Sequence, residues 1–104
     1  MSKKTPEKIV QDDIIDYIKE LKKLNHPIDF ERRQAGGFNY KKGKPDLFII
    51  YNGIHIELEV KAPGGKQTPL QIKFEKKCKN KNICPYMCID SLEKFIEELW
   101  KIIK

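Results

Sequence analysis

The dipeptide Asn52-Gly53 constrains the fold more than any other feature of the sequence, because it separates two runs of strand-forming residues, 46–51 and 54–61. Asn-Gly between such runs is the strongest short signal for a β-hairpin with a two-residue turn. A two-residue turn fixes the pairing, so Tyr51 is expected opposite Ile54 and Asp46 opposite Glu59. A three-residue loop with a bulge would instead shift the register by one and separate the two acids.

This register divides the hairpin residues between two faces, because side chains alternate along a strand. One face is apolar apart from a single phenol and is expected to form the core. It consists of Leu47, Ile49, Tyr51, Ile54, Ile56, Leu58 and Val60. The other face collects acids at the end away from the turn. It consists of Asp46, Phe48, Ile50, His55, Glu57, Glu59 and Lys61.

Helices and short strands are predicted on both sides of the hairpin. The first helix begins at Thr5-Pro6, a favourable cap and first residue, and ends before Pro27. A strand follows near 28–33, a second helix over 68–79, a strand over 86–89 and a last helix after Asp90-Ser91. The order α-β-β-β-α-β-α indicates an α/β fold, a mixed central sheet flanked by helices, in a single domain over residues 1–104.

The charge balance favours a polyanionic partner. Lysine and arginine number 21 against 15 acids, which gives a net charge of +6 and a sequence pI near 9.2. A basic small domain suggests nucleic acid, although charge alone also serves solubility. No apolar run approaches the roughly 20 residues of a membrane span, and no signal sequence is evident, so we expect a cytoplasmic protein that is not secreted and has no membrane partner.

The acidic end of the hairpin is the candidate for chemistry. Asp46 and Glu59 placed opposite each other repel, unless a cation lies between them. Mg²⁺ is often held by one or two carboxylates together with water and substrate phosphate. Lys61 lies two residues beyond Glu59 on the same face, beside such a metal and phosphate. The alternative is a solvated ion-pair cluster that contributes little to stability.

The motif Pro45-Asp46 followed by Glu59-Val60-Lys61 resembles the signature of the PD-(D/E)xK nucleases. Within that superfamily, the chain is similar to the VRR-NUC branch, the virus-type replication-repair nucleases. The similarity lies in Gly43-Lys44 before the motif, in Gln71 after it and in the start of the first helix at residues 7–11. The resemblance covers about residues 7–71. It implies a restriction-endonuclease-like fold and hydrolysis of DNA phosphodiesters with Mg²⁺ or Mn²⁺.

The resemblance also implies a stand-alone viral type of enzyme, working in the host cytoplasm. Such proteins look like homodimeric endonucleases that act on branched DNA, for example Holliday junctions. A homodimer also agrees with the size of the chain, because one 104-residue domain has little surface for both arms of a branched substrate. The last helix, with Trp100, is one candidate for the contact, and a place for Trp100 in the core is the alternative.

The roles of the site residues follow from this resemblance. Asp46 and Glu59 would bind the metal, with the Val60 carbonyl as an extra oxygen and Glu7 as an additional acid. Lys61 would position the attacking water and stabilise charge on the phosphate. Glu7 also suits a helix N-terminus on electrostatic grounds.

Gln71 has two predicted roles that can hold in different states. In the family interpretation it contacts the attacking water or a phosphate at the active site. The spacing Thr68-x-x-Gln71 is also a capping box, in which the glutamine side chain bonds to the backbone of Thr68.

Basic residues near the acids are predicted to contact the DNA backbone, with solvated loops as the alternative. They are Arg33, Lys41, Lys42, Lys44 and Lys66. The three cysteines are spaced unlike a zinc site and are expected to be free thiols. Two competing functions remain: a non-catalytic DNA-binding module on a nuclease-like fold, and a structural partner protein that binds no nucleic acid.

Overall fold

The computed structural model describes residues 4–33 and 43–103, so the predicted DNA contacts Lys41 and Lys42 lie outside the described residues. The elements follow the predicted order, and each boundary lies within a few residues of its prediction. They are α1 (Pro6–Lys23), β1 (Ile28–Arg32), β2 (Leu47–Tyr51), β3 (Ile54–Val60), α2 (Pro69–Asn80), β4 (Tyr86–Ile89) and α3 (Leu92–Ile103).

Both ends of α1 are set by local chemistry. The Thr5 hydroxyl accepts a hydrogen bond from the Lys8 backbone N–H at 3.1 Å, and Pro6 occupies the first turn, where no backbone donor is needed. After the helix, Asn25 has a φ of +68°, a left-handed conformation that asparagine tolerates and that turns the chain toward β1. The predicted helix and its cap are confirmed.

The four strands form one mixed sheet in the order β1-β2-β3-β4. β1, β2 and β3 are antiparallel neighbours, whereas β4 runs parallel to β3. Asn52 and Gly53 both have positive φ, as a two-residue primed turn requires. Tyr51 pairs with Ile54 and Leu47 pairs with Leu58, so the predicted register is confirmed and the bulged alternative is wrong.

The hairpin ladder ends one pair earlier than the sequence suggested. Asp46 lies in a bend immediately before β2, so Glu59 has no partner in β2 and is paired only on its other side, with Cys88 of β4. Asp46 leaves the hairpin ladder but stays tied to the sheet on the other side, because its carbonyl accepts a hydrogen bond from the Arg33 N–H at 2.7 Å. Asp46 and Glu59 therefore lie near each other at the end of the sheet but are not directly opposed across the β2–β3 hairpin.

The core lies between one face of the sheet and the helices α1 and α3. The predicted apolar face of the hairpin enters it, although Ile54 beside the turn is 38% exposed. Trp100 is half-buried against this core, where its Nε1 donates a hydrogen bond to the Tyr17 hydroxyl at 3.0 Å. Trp100 thus belongs to the edge of the core, which was the alternative to a dimer contact.

Helix α2 packs on the opposite face, against β4. The rings of Phe74 and Tyr86 lie 6.1 Å apart, and the Gln67 amide donates to the Tyr86 hydroxyl at 3.3 Å. Alternation along β3 puts Glu57 and Glu59 on this same side of the sheet. Within residues 4–33 and 43–103, none of the helices has the length and apolar character needed to cross a membrane.

The chain enters β2 by passing close to the start of α2. Gly43 has a φ of +91°, and a Cβ on this residue would lie 2.7 Å from the Leu70 carbonyl oxygen. Only glycine fits both the backbone conformation and the space. This close approach brings Lys44 and Pro45-Asp46 to the side of the sheet that α2 covers.

Candidate active site

Glu59 is a buried acid with an incomplete set of partners. The residue is 6% exposed, and its Oε1 has no hydrogen-bond partner among the described residues. The nearest cation is Lys61, whose Nζ lies 3.9 Å from Oε2, too far for a hydrogen bond. A buried carboxylate left in this state costs folding free energy, so its retention calls for a reason other than stability.

The electrostatics of Glu59 show which groups surround it. Burial raises the pKa of Glu59 to about 7; the charge of Lys61 opposes this shift, while the charges of Asp46 and Glu7 add to it. The fold therefore brings Asp46, Lys61 and Glu7 within electrostatic range of Glu59. A carboxyl group with a pKa near neutrality in a mixed-charge cluster is typical of functional sites, though structural clusters also produce it.

Glu57, two residues earlier on the same strand, has the opposite character. The Arg33 guanidinium donates two hydrogen bonds of 2.6 Å to its two oxygens, and His55 also contacts Oε2. Burial alone would raise the pKa of Glu57, but the hydrogen bonds from Arg33 and His55 outweigh burial and lower it. Glu57 is thus an acid whose two oxygens both have partners.

Arg33 holds the Pro45-Asp46 segment in place. Its Nη1 donates to the Pro45 carbonyl at 2.8 Å, and its backbone N–H donates to the Asp46 carbonyl at 2.7 Å. The sequence suggested a phosphate contact for Arg33, whereas the structure engages its guanidinium with Glu57 and Pro45. The contact between Arg33 and Glu57 spans 24 residues and depends on the pairing of β1 with β2, for which the sequence carries no local signal.

We expect Arg33→Met to lower the free energy of unfolding by about 3 kcal/mol, because it leaves the buried Glu57 carboxylate without its main partner. Urea unfolding at pH 7 measures the effect. The matched control is Lys22→Met, which removes an exposed ion pair to Asp29 and should cost less than about 1 kcal/mol. Equal losses in the two variants would contradict the anchoring role of Arg33.

The other predicted site residues are Gln71, Val60, Glu7 and Lys66, and of these only Glu7 is shown to act on Glu59. Gln71 makes the capping box, since its side chain accepts from the Thr68 N–H at 2.8 Å and its N–H donates to the Thr68 hydroxyl at 3.2 Å. Val60 is the buried last residue of β3, and Glu7 is exposed in the first turn of α1. Lys66 lies exposed in the loop between β3 and α2.

The sequence interpretation missed the lysines of α2. This helix carries four lysines against one glutamate, whereas α1 carries four lysines against five acids and α3 two lysines against three acids. The positive charge is therefore concentrated on the side of the sheet that carries Glu59. A count of charge by element, combined with strand alternation, would have found this asymmetry.

The carboxylates fit a hard divalent cation that completes its coordination with water and phosphate. Among the described residues, no three His, Cys, Asp or Glu side chains converge into a metal site of their own. Mg²⁺ does not require one, since it commonly binds one or two carboxylates and keeps several waters. The unpartnered Oε1 of Glu59 is the atom that such an ion would satisfy, with Asp46 as the second ligand.

Comparison with known protein families, with curated proteins and with solved structures finds no match to this chain. What is established is an α/β fold with a four-stranded mixed sheet and three helices in the described residues.

Proposed function

We propose that this protein is a metal-dependent nuclease that hydrolyses DNA phosphodiester bonds at a site built by Asp46, Glu59 and Lys61. The observation that carries the proposal is the buried, incompletely partnered Glu59 carboxylate beside Asp46 and Lys61. A cation and a phosphate would supply the missing partners. The positive charge of α2 on the same side of the sheet would attract a polyanion toward these acids.

The proposed roles follow from position. Asp46 and Glu59 would hold Mg²⁺ or Mn²⁺, which when bound polarises the phosphoryl group and lowers the pKa of bound water. Lys61, with its ammonium group beside Glu59, would orient the water and stabilise charge on the phosphate. Arg33 keeps Asp46 in place through the Pro45 and Asp46 carbonyls.

The finer parts of the proposal come from the resemblance to VRR-NUC nucleases. The first is the PD-(D/E)xK fold, with which the mixed sheet and flanking helices are compatible. The others are a homodimer, branched DNA as the substrate and a cytoplasmic location, which for a viral protein is the cytoplasm of the host. Val60 and Glu7 remain proposed metal contacts. Gln71 would act in catalysis only by leaving its capping box.

Cleavage of labelled four-way junction, flap, single-stranded and duplex DNA tests the proposal. We expect cutting with Mg²⁺ or Mn²⁺, none with EDTA, and the highest rate on a branched substrate. The matched control is Lys19→Ala, which changes an exposed lysine of α1 on the opposite face of the sheet and should cut like wild type.

Absence of cutting on every substrate and metal, with salt-sensitive binding retained, would overturn the nuclease in favour of a binding module. Light scattering after gel filtration, with and without junction DNA, tests the homodimer, which a monomer under both conditions would contradict.

A further inference from the structure

A groove runs beside the candidate site, on the side of the sheet covered by α2. Its volume is about 490 Å³, and it is open to solvent. Lys44, His55, Glu57, Phe74 and Lys77 are among the residues that line it. Glu57 precedes Glu59 by two residues in β3, which corresponds to roughly 6.6 Å along a strand. The wall of the groove at Glu57 therefore lies two residues along β3 from Glu59, the candidate metal ligand.

Aromatic rings provide flat surfaces in and beside this groove. Phe48 and His55 are stacked, with ring centroids 4.5 Å apart and an angle of 16° between the planes, and the Arg33 guanidinium lies 5.0 Å from the Phe48 ring. The His55 side chain is 41% exposed. Phe74 lines the α2 wall. Phe48 is covered by His55 and Arg33, so the partly exposed rings of His55 and Phe74 are the surfaces on which unpaired bases could stack.

Lysines surround the same surfaces. Lys44 lies with its Nζ 6.0 Å from the Phe74 ring, and Lys77 lines the groove. Lys73, Lys76 and Lys81 continue along an adjoining hollow on α2, which shares Phe74 and Lys77 with the groove. Within the described part of the chain, none of these five lysines forms an ion pair.

We propose that this groove binds an unpaired strand of DNA and leads it to the candidate active site. Stacking needs free base faces, and in a duplex these are covered by neighbouring base pairs, so a single strand fits the groove better than a double helix. Lysines that follow the backbone, alternating with aromatic rings that take bases, are the common design of single-strand binding surfaces. The substrate of the nuclease would then carry an unpaired strand next to the scissile phosphate, a statement that rests on the proposed function.

Fluorescence anisotropy with labelled oligonucleotides in EDTA tests the groove without any cleavage. The probes are a twelve-nucleotide oligo-dT, the matching oligo-U and a twelve-base-pair blunt duplex. We expect wild type to bind oligo-dT more tightly than the duplex and at least as tightly as oligo-U. Phe74→Leu, which keeps apolar volume but removes the ring, should weaken oligo-dT binding about tenfold, the size expected for one stacked base.

Charge reversal provides the matched comparison, because exposed lysines can be changed without disturbing the core. Lys77→Glu should weaken oligo-dT binding about tenfold or more and reduce its salt dependence, whereas Lys19→Glu on α1, on the opposite face of the sheet, should leave binding unchanged. Circular dichroism checks that each variant is folded. Any of three results would overturn the proposal. The two charge reversals could have equal effects, the protein could bind the duplex or oligo-U more tightly than oligo-dT, or poly-glutamate at equal concentration could displace oligo-dT.

The two proposals can fail separately. A wild-type protein that binds oligo-dT through the groove and cuts no DNA would refute the nuclease and support the groove. A protein that cuts DNA, but whose Lys77→Glu and Phe74→Leu variants bind oligo-dT like wild type, would refute the groove alone.

Discussion

Glu59→Gln is expected to stabilise the fold at pH 8 while abolishing metal-dependent cleavage. Burial raises the pKa of Glu59 from 4.5 to about 7, so at pH 8 the folded protein carries a buried charge. A shift of this size, at about 1.4 kcal/mol for each pKa unit, corresponds to roughly 3 kcal/mol. Glutamine removes the charge but keeps a polar group without a complete set of partners, so we expect a net gain of about 2 kcal/mol.

The gain in stability from Glu59→Gln should increase with pH. Because the pKa of Glu59 is higher in the folded state, its contribution to stability is fully present below pH 4.5 and is lost as pH rises through about 7. At pH 4.5 the protonated acid and the amide are nearly equivalent, and the two proteins should be equally stable. Urea unfolding of wild type and variant from pH 4.5 to 8.5 measures the difference, which should grow with pH and level off above about 7.

Glu57→Gln is the matched control, on the same strand and the same face. It removes the partner of Arg33 and should lower the free energy of unfolding by about 3 kcal/mol at pH 7. The pKa of Glu57 is lowered, so its contribution to stability is lost as pH falls, opposite to that of Glu59. Destabilisation by both substitutions at pH 8 would contradict the functional assignment and make Glu59 a structural partner of Lys61.

The elements and the hairpin could be predicted because their signals are local. Asn52-Gly53 fixes the β2–β3 register by backbone conformation alone, and the threonine-proline starts of α1 and α2 act within one helical turn. The register and the alternation of side chains then put Glu59 and Lys61 on one face of the sheet. These two residues are the larger part of the candidate site.

The remainder of the site depends on contacts between distant segments. The pairing of β1 with β2 decides that Arg33 meets Glu57, and no nearby residue encodes it. The burial of Glu59 depends on β4, which pairs with β3 beside it, and on α2, which packs on the same side of the sheet. A sequence shows that an acid lies on a strand, but its pKa and partners are set by elements that pack there from elsewhere.

At metal concentrations too low to saturate the site, metal-dependent cleavage should rise about tenfold for each pH unit below about 7 and become level above it. The reason is that a metal ligand must be ionised, and the pKa of Glu59 is raised to about 7 by burial. Initial rates on the preferred substrate at constant ionic strength, from pH 5.5 to 9, measure the profile. A rate that is flat between pH 5.5 and 7 would contradict a role for Glu59 as ligand.

Lys61→Met should lower the cleavage rate at pH 7 by at least about a hundredfold, for two separable reasons. It removes the ammonium group that would stabilise charge on the phosphate, a loss that persists at every pH. It also removes the positive charge that lowers the pKa of Glu59, so the midpoint of the pH profile should move above 7. Lys19→Met, which removes an exposed charge from α1 on the opposite face of the sheet, should leave both rate and midpoint unchanged. A rate loss without a change in midpoint would mean that Lys61 acts on the phosphate alone, and an unchanged rate would remove Lys61 from the proposed mechanism.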